Sequence, residues 1–509
     1  MRFRAGLLSA LIGTLLICQL IPTANAEQRR IDITGIPVPA MSSFDSVVSD
    51  LMARFRIPGG ALAVAKDGRL VLAHGYGLAD VDVNRLVQPD SLFRIASISK
   101  SITAVAILKL VEEGRLDLNA KAFLILDRLK PKNDVRPDPR IWKVTIRQLL
   151  QHSGGWDRSR SFDPMFMPRE AAAAVGAPAP ASCETIIRYM FTQPLDFDPG
   201  ARYAYSNFGY CVLGRIIEQV TGRSYEEYVK RQVLEPMGIT DMRIGHSSLE
   251  DRADNEVRYY DFSGTPPFKS VFTGEIVLWP YGGFYLEAMD SHGGWLASAI
   301  DLALFAVSVD GQRPPAFLRR DTVQLVISRP APPLWVGESY WYGMGWFVRP
   351  VPWDGANWWH TGSLPGTSAL LVKTHNGLTW AALFNSRPEY PAGRDFITEL
   401  DNSLWLAQSE VTAWPAHDLF AAGASNTTQA SAELTLRDTS YTVSVSISAS
   451  SVPTTVLTRS SHETETAIKS STQAISGVFT VETLAITGVA SVVATLIGTF
   501  CSRRWKEKG

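Results

Sequence analysis

The chain has almost no net charge, few cysteines and no recognisable metal-binding motif. Its 509 residues include 49 lysines and arginines against 50 aspartates and glutamates, a formal net charge of −1. This balance gives no field that would attract nucleic acid or an anionic membrane surface, so we expect no nucleic-acid partner. Neither C-x-x-C nor H-E-x-x-H occurs, and we therefore expect no metal and no cofactor.

Only two of the four cysteines, Cys183 and Cys211, lie in the part of the sequence that we expect to be globular. A disulfide between them and a pair of free buried thiols are equally compatible with the sequence. Both alternatives stay open at this stage.

Residues 1–26 have the composition of a secretory signal peptide. Arg2 and Arg4 precede the apolar stretch Gly6–Ile21, and Ala24-Asn25-Ala26 offers small residues for cleavage before Glu27. An N-terminal anchor that is never cleaved is the alternative. Either interpretation predicts that the rest of the chain is exported.

A second apolar segment predicts a membrane-spanning helix at residues 478–501. No charged residue occurs between Thr483 and Cys501, which is about the length needed to cross a bilayer. The tail at residues 502–509 is basic, and the positive-inside rule places it in the cytoplasm. We therefore expect membrane anchoring by a single C-terminal pass, with the globular part on the extracytoplasmic side.

The composition divides the remaining chain into two parts. Residues 27–408 resemble one globular unit, whereas residues 409–475 are rich in serine, threonine and alanine and predict a flexible stalk. Alternating residues at Tyr441–Ile447 leave a few strands as the alternative for the stalk. Asn426 begins a glycosylation sequon, which matters only in a cell that has the machinery.

Secondary-structure signals within the globular unit predict an antiparallel sheet with an inserted helical domain. Ser42–Phe55 predicts a helix, and Asp67-Gly68 and Asn376-Gly377 predict two hairpins. A final amphipathic helix is expected over about residues 394–406, and the middle is mostly helical. Strands at both ends of the unit imply one sheet that closes late, an α/β (α+β) fold.

A serine and a lysine stand three residues apart ahead of a strongly apolar stretch. Ser97 and Lys100 precede Ile102–Leu110, which predicts a buried helix that Gly114 ends. Residues at i and i+3 share a helix face, so Lys100 could remove the proton of Ser97 if burial lowers its pKa. An N-cap serine followed by a surface lysine has the same spacing and is the alternative.

Two further motifs follow in the chain. Tyr203–Asn207 predicts a loop that places the Tyr205 hydroxyl and the Asn207 amide on one side, or alternatively a capped helix start with aromatic packing. Trp359–Ser363 lies before a strand at Ser368, and its glycine lets an acyl group approach an edge-strand backbone. Lys373-Thr374-His375 lacks that glycine and continues into a turn, so we set it aside.

Together and in this order, the S-x-x-K, Y-S-N and H-T-G motifs resemble the serine β-lactamase and penicillin-binding protein superfamily. The versions present here resemble its class C-like branch, which includes class C β-lactamases, D-alanyl-D-alanine carboxypeptidases, D-amino-acid peptidases and family VIII-type esterases. The resemblance covers about residues 45–400, including Thr145–Gly155 and Gly293–Ser298. It implies a β-lactamase-like fold with the active site between the sheet and the helical domain.

The resemblance implies roles for individual residues. Ser97 would attack a carbonyl and become acylated, Lys100 would accept its proton, and Tyr205 would relay a proton to the leaving group. The backbone N–H groups of Ser97 and Ser363 would form an oxyanion hole. The implied substrate-binding residues are Asn207, His360, Thr361, Gly362 and Ser363.

The resemblance also leaves alternatives open. His360 replaces a lysine, and because it would be mostly neutral at pH 7, it favours a peptidase or esterase over an efficient β-lactamase. A β-lactamase proper, a β-lactam sensor and a non-catalytic filament-forming protein are the alternatives. His152 is expected to order a loop, the insert Ser161–Ser182 is expected to border the site, and the oligomeric state stays open.

Overall fold

The computed structural model describes residues 31–130, 136–261, 265, 268–352, 355–388 and 395–421. The predicted signal peptide, membrane segment and basic tail lie outside these residues, as do Asn426 and the remainder of the stalk after residue 421. Within the described ranges, no helix has the length and the apolar character needed to cross a membrane.

The predicted antiparallel sheet forms from the two ends of the globular unit. The strands, in chain order, are β1 (Ile33–Thr34), β2 (Gly59–Lys66), β3 (Arg69–Asp80), β4 (Arg85–Leu86), β5 (Phe93–Arg94), β6 (Arg243–Ile244), β7 (Phe268–Lys269), β8 (Ile276–Val277), β9 (Trp295–Ala297), β10 (Trp341–Tyr342), β11 (Phe347–Pro350), β12 (Ala356–Leu364), β13 (Thr367–Lys373) and β14 (Leu378–Phe384). The main sheet has the order β1–β3–β2–β14–β13–β12–β11–β10, with β4 paired to β3. Because β14 pairs with β2, the last hairpin completes the sheet that the first one begins.

Both predicted hairpins are confirmed. Asp67 and Gly68 join β2 to β3 and have φ angles of +50° and +76°. Left-handed backbone at both turn residues matches the right-handed twist of the flanking strands, and glycine adopts it without steric cost. The second hairpin joins β13 to β14 around Asn376-Gly377, as predicted.

Helices cover both faces of the sheet. In chain order they are α1 (Ser42–Phe55), α2 (Ser99–Glu112), α3 (Ala122–Ile125), α4 (Ile146–Leu150), α5 (Pro168–Ala174), α6 (Cys183–Met190), α7 (Asn207–Thr221), α8 (Tyr225–Val229), α9 (Ala299–Val309), α10 (Arg320–Ile327) and α11 (Phe396–Ser409). The first and last helices, α1 and α11, pack together over β13, and α9 packs against β2, β3, β13 and β14. Helices α3 to α8 belong to the predicted helical insertion, which the chain enters after α2.

A disulfide joins two helices of the insertion. Cys183 begins α6 and Cys211 lies within α7; their Cα atoms are 6.1 Å apart and the two sulfurs are bonded. Of the two alternatives that the sequence left open, the structure therefore has the disulfide. A cross-link over a separation of 28 residues stabilises the folded state by about 3–4 kcal/mol, chiefly by restricting the unfolded chain.

The predicted boundary between the globular unit and the stalk is too early. His417 hydrogen-bonds to the Val71 carbonyl at 2.9 Å, and the Leu70 N–H donates to Asp418 at 3.0 Å. Asp418 also forms an ion pair with Arg313 at 2.7 Å. Residues 410–421 therefore pack against β3 and belong to the globular unit rather than to the stalk.

Candidate active site

Ser97 lies on a short 3-10 turn, Ala96–Ile98, which leads directly into α2. The sequence predicted that Ser97 shares a helix face with Lys100, and the structure places Ser97 just ahead of the first turn of α2. Ala96 has a φ of +46°, in the left-handed region that a residue with a Cβ atom rarely adopts. Such strain is of the order of 1–2 kcal/mol and commonly accompanies a functional residue.

Lys100 is completely buried beside Ser97. Its Nζ donates to the Ser97 Oγ at 3.1 Å and to the His292 carbonyl at 2.8 Å. Burial lowers the pKa of Lys100 well below its ordinary value; Asp163 opposes this shift and Arg158 adds to it. The neutral amine, which can accept a proton, is therefore favoured far more than for a lysine in water.

Tyr205 reaches the same two residues from the loop ahead of α7. It hydrogen-bonds to Ser97, and burial raises the pKa of its phenol. The Lys100 Nζ lies 4.9 Å from the centre of its ring. The protonated phenol can therefore pass a proton on, and the predicted catalytic residues Ser97, Lys100 and Tyr205 are brought into contact.

Asn207 begins α7 after Ser206, whose Oγ caps the helix by accepting the Gly209 N–H at 3.1 Å. The Asn207 Nδ2 donates to the Asp163 Oδ2 at 2.7 Å. Because a carboxylate accepts, this contact fixes the orientation of the amide and leaves Oδ1 without a partner among the described residues. Asp163 belongs to the insert that the sequence placed beside the site.

The H-T-G motif lies inside β12 rather than before a strand. Strand β11 pairs with β12 only as far as Trp359, so residues 360–364 have an open edge although β12 is not an outer strand of the sheet. A Cβ on Gly362 would lie 2.2 Å from the Ile95 carbonyl oxygen. Glycine is therefore required because the backbone at Ile95, just ahead of Ser97, packs closely against it. The predicted reason, the close approach of an acyl group, is not the one that the structure shows.

The resemblance implied a substrate-binding role for His360, which borders the cavity but is almost completely buried. The side chain is 1% exposed, and burial followed by the charge of Lys100 lowers its pKa to about 3. Its Nδ1 donates to the Thr361 carbonyl at 2.7 Å, which leaves Nε2 to accept from the Tyr342 hydroxyl at 3.1 Å. The geometry is that of a neutral residue that orders the strand.

His152 has the contacts of a loop-ordering residue, the role expected for it. Its Nδ1 accepts the Ser206 N–H at 3.2 Å, and its carbonyl accepts the Ala204 N–H at 2.8 Å. The ring lies 4.3 Å from that of Tyr205. Burial lowers the pKa of His152 well below its usual value, so the ring is neutral and supports the Tyr205 loop.

A cavity of about 520 Å³ opens over Ser97. The helical insertion lines one wall with Tyr205 and Asn207, and β12 lines the other with Thr361 and Ser363. The site thus lies between the sheet and the insertion, as the resemblance implied. No cluster of three or more metal-ligating side chains occurs in the part of the chain that the structure describes.

Comparison with known proteins identifies the family. The profile of the family described as Beta-lactamase matches residues 44–401. The chain belongs to the beta-lactamase family. Protein flp of Staphylococcus aureus (strain COL) is 25% identical over 350 residues, which cover 68% of this chain and 64% of that protein. The chain thus matches just under two thirds of that relative's length.

Solved structures show the same beta-lactamase-family fold. The octameric penicillin-binding protein homologue from Pyrococcus abyssi is 26% identical, with a TM-score of 0.55 over 74% of this chain and 79% of that one. The D-amino acid amidase from Ochrobactrum anthropi SV3 is 20% identical, with a TM-score of 0.56 over 73% and 99% of the two chains. These matches show the fold that the family match implies.

Several residues of the beta-lactamase-family site were missed by sequence reasoning. They lie in no recognised motif and reach the cavity from distant elements; they are Arg158, Phe166, Trp279, Met289, His292, Phe347 and Arg387. Three signals were available. His292 directly precedes the Gly293–Ser298 stretch covered by the resemblance. Arg158 follows the His152–Gly155 loop closely, and Phe166 belongs to the insert expected to border the site.

Proposed function

We propose that this protein hydrolyses an ester or amide through an acyl-enzyme on Ser97. The proposal rests mainly on the 3.1 Å hydrogen bond between the Lys100 Nζ and the Ser97 Oγ. Lys100 is fully buried, and the only carboxylate among the described residues that favours its protonated form, Asp163, acts through charge without a hydrogen bond to it. It is thereby suited to accept a proton from the serine.

The proposed reaction proceeds in two halves. Neutral Lys100 takes the Ser97 proton while Oγ bonds to the substrate carbonyl carbon. Tyr205 gives its proton to the leaving oxygen or nitrogen as that bond breaks, and Lys100 returns a proton to Tyr205. A water molecule then attacks the acyl carbon and gives a proton to Tyr205, which passes its own proton to Lys100. As the bond between the acyl carbon and the Ser97 Oγ breaks, Lys100 returns that proton to Oγ, and the acid is released.

The free edge of β12 supports the remaining assignments. The backbone N–H groups of Ser97 and Ser363 would hold the carbonyl oxygen as negative charge develops on it, a contribution of about 10²–10³ in rate per donor. Ser363 is exposed at this edge, and Thr361 is half-buried beside it. Thr361 would hold a polar substrate oxygen, and the partnerless Oδ1 of Asn207 would accept a substrate N–H.

Both ester and amide substrates have support among the structural neighbours. One neighbour is a D-amino acid amidase, and another is EstCE1, a hydrolase with promiscuous acyltransferase activity. The substrate is thus a D-amino-acid peptide, an amide or a carboxylic ester. His360 stands where β-lactamases have a lysine, and its neutral ring favours a peptidase or esterase over an efficient β-lactamase.

Export and membrane anchoring are part of the same proposal. The Cys183–Cys211 disulfide is of the kind that persists in oxidising compartments outside the cytoplasm. The predicted signal at residues 1–26 and apolar segment at 478–501 would deliver and retain the domain there. External protease should release the catalytic domain from intact cells or spheroplasts; protection of that domain would contradict this orientation.

The nucleophile is tested by labelling the purified protein with a fluorophosphonate. Ser97→Ala should lose labelling completely. Ser99→Ala is the matched control. Ser99 lies two residues after Ser97, and its Oγ accepts a hydrogen bond from the Trp295 N–H. Undiminished labelling of Ser97→Ala would overturn the proposal.

Turnover is tested with nitrocefin, short 4-nitrophenyl esters and peptides that end in D-Ala-D-Ala. We expect hydrolysis of the esters or the peptides to exceed that of nitrocefin. Dominant nitrocefin hydrolysis would instead indicate a β-lactamase. Labelling without turnover of any substrate, with elution as a polymer, would indicate the non-catalytic filament-forming alternative.

A further inference from the structure

Two arginines line the active-site cavity. Among the described residues, its lining includes Arg158 and Arg387 but no aspartate or glutamate. His360 contributes little charge, because burial lowers its pKa to about 3. The Arg158 guanidinium is therefore a positive charge that a substrate in this cavity would meet.

Arg158 lies on the insertion wall of this cavity. Its Cζ lies 4.9 Å from the centre of the Tyr205 ring, so the guanidinium stacks on a residue that itself touches Ser97. The side chain is 48% exposed, which leaves it open to a ligand in the cavity. Stacking on an aromatic ring holds a guanidinium in place without using its N–H donors.

Asp163, which forms an ion pair with Arg158, leaves those donors available to a ligand. The Asp163 Oδ2 is 3.8 Å from the Arg158 Nη1, beyond hydrogen-bond distance. The Asp163 oxygens instead accept from the Asn207 Nδ2 at 2.7 Å and from the Met165 N–H at 3.2 Å. Arg158 donates no hydrogen bond to any described residue.

We propose that Arg158 is a specificity-determining residue that binds a carboxylate of the substrate. In this arrangement His360 does not recognise the anion; recognition comes from the opposite wall, beside Tyr205 and Asn207. A planar guanidinium with free N–H donors matches a carboxylate in a two-pronged contact. The inference rests on the proposed hydrolysis at Ser97 and adds the substrate class to it.

The test compares three esters on the full-length protein. They are 4-nitrophenyl valerate, which is neutral; 4-nitrophenyl hemiglutarate, which is anionic in the acyl part; and 3-carboxy-4-nitrophenyl valerate, which is anionic in the leaving group. The measured quantity is the ratio of kcat/KM for each anionic ester to that for the neutral ester. Differences in intrinsic reactivity cancel when this ratio is compared between a variant and the wild type.

In Arg158→Gln, at least one ratio should fall by about 10- to 100-fold, the effect of losing a charge-assisted hydrogen bond. In Arg158→Lys, the same ratio should fall by a smaller factor, because lysine keeps the charge but cannot make the two-pronged contact. Arg160→Gln is the matched control, since it removes the same charge from the same loop and Arg160 does not line the cavity. Its ratios should equal those of the wild type.

Three results would overturn the inference. They are unchanged ratios in Arg158→Gln, an equal fall in Arg160→Gln, or a fall in Arg387→Gln without one in Arg158→Gln. Fluorophosphonate labelling separates these from failure of the proposed function. A wild type that is not labelled at Ser97 would refute the hydrolase itself, whereas a labelled wild type with Arg158-independent ratios would refute only the carboxylate contact.

Discussion

Two buried lysines lie in different parts of this molecule and have different surroundings. Lys100 is 0% exposed at the start of α2, and its Nζ contacts the Ser97 hydroxyl and the His292 carbonyl. Lys373 is 3% exposed at the end of β13, and its Nζ lies 3.1 Å from the Asp310 carboxylate. Burial lowers the pKa of both.

The two lysines differ in the negative charge that opposes the lowering of their pKa by burial. Asp310 gives Lys373 a counter-charge at contact distance, whereas only the longer-range charge of Asp163 favours the protonated form of Lys100. The pKa of Lys100 is accordingly lowered further. Lys373 is thus a structural ion pair, and Lys100 is a base held next to a hydroxyl. Lys373-Thr374-His375 resembles a catalytic motif in sequence, but its lysine pairs with a carboxylate and has no serine hydroxyl beside it among the described residues, so it cannot act as a base for a nucleophile.

The largest expected effect separates the two lysines by activity. Lys100→Met should lower kcat by about 10²–10⁴-fold, the usual contribution of a general base. Lys373→Met removes a comparable buried side chain far from Ser97 and should keep kcat within a few-fold of wild type. Ester hydrolysis, normalised to the folded fraction, measures both. Similar losses of kcat in the two variants would show that Lys100 has no catalytic role that Lys373 lacks.

The pH dependence of activity sharpens the same distinction. Neutral Lys100 is the active form, so kcat/KM should rise as pH increases through its pKa. That pKa lies well below 10.5, the ordinary value for lysine, so the rise should be complete well below pH 10.5. The pH–rate profile of a neutral ester between pH 5 and 10 measures this. A rise centred near pH 10.5 would show that burial does not tune Lys100.

Much of the fold follows from local sequence because its signals are local. The turn at Asp67-Gly68 needs left-handed backbone, and the helix over Ser42–Phe55 has its own apolar face. The boundary at residue 408 was wrong because composition averaged over the whole stalk concealed Val411, Trp414, Leu419 and Phe420. These side chains pack against the two hydrophobic clusters of the domain, contacts that depend on the folded surface.

The site was predictable only where the motifs carry it. The types and order of Ser97, Lys100 and Tyr205 were recognisable because two short motifs, S-x-x-K and Y-S-N, contain them. Arg158 and Asp163 were not predicted as site residues, because their contacts with Tyr205 and Asn207 depend on how the insertion folds. The role of His360 could not be derived either, because burial and Tyr342 decide its charge, and Tyr342 lies 18 residues away in another strand.

A smaller effect tests the ion pair of Lys373. Asp310→Asn removes the counter-charge but keeps the shape, and it should lower the free energy of unfolding by about 2 kcal/mol, because a buried ammonium loses its partner. Asp310 is 22% exposed, so water compensates in part and the loss stays below that of a fully buried pair. Chemical denaturation measures it, and Lys373→Met with Asp310→Asn should recover part of the loss. An Asp310→Asn variant as stable as wild type would mean that the pair is not structurally important.

The smallest expected effect is a pH dependence of stability that differs between the two lysines. Each has a lowered pKa in the folded state. Between that pKa and the ordinary value near 10.5, the unfolded chain binds more protons, so folding becomes more favourable as pH rises. The methionine variants lack this gain. From pH 7 to 10, the stability of wild type relative to Lys100→Met should therefore increase, by at most about 1.4 kcal/mol per pH unit. The increase relative to Lys373→Met should be smaller, since Asp310 keeps the folded pKa of Lys373 closer to its ordinary value. Denaturation curves of the three proteins across this range measure both slopes. Equal slopes would show that the Asp310 carboxylate does not distinguish the two sites.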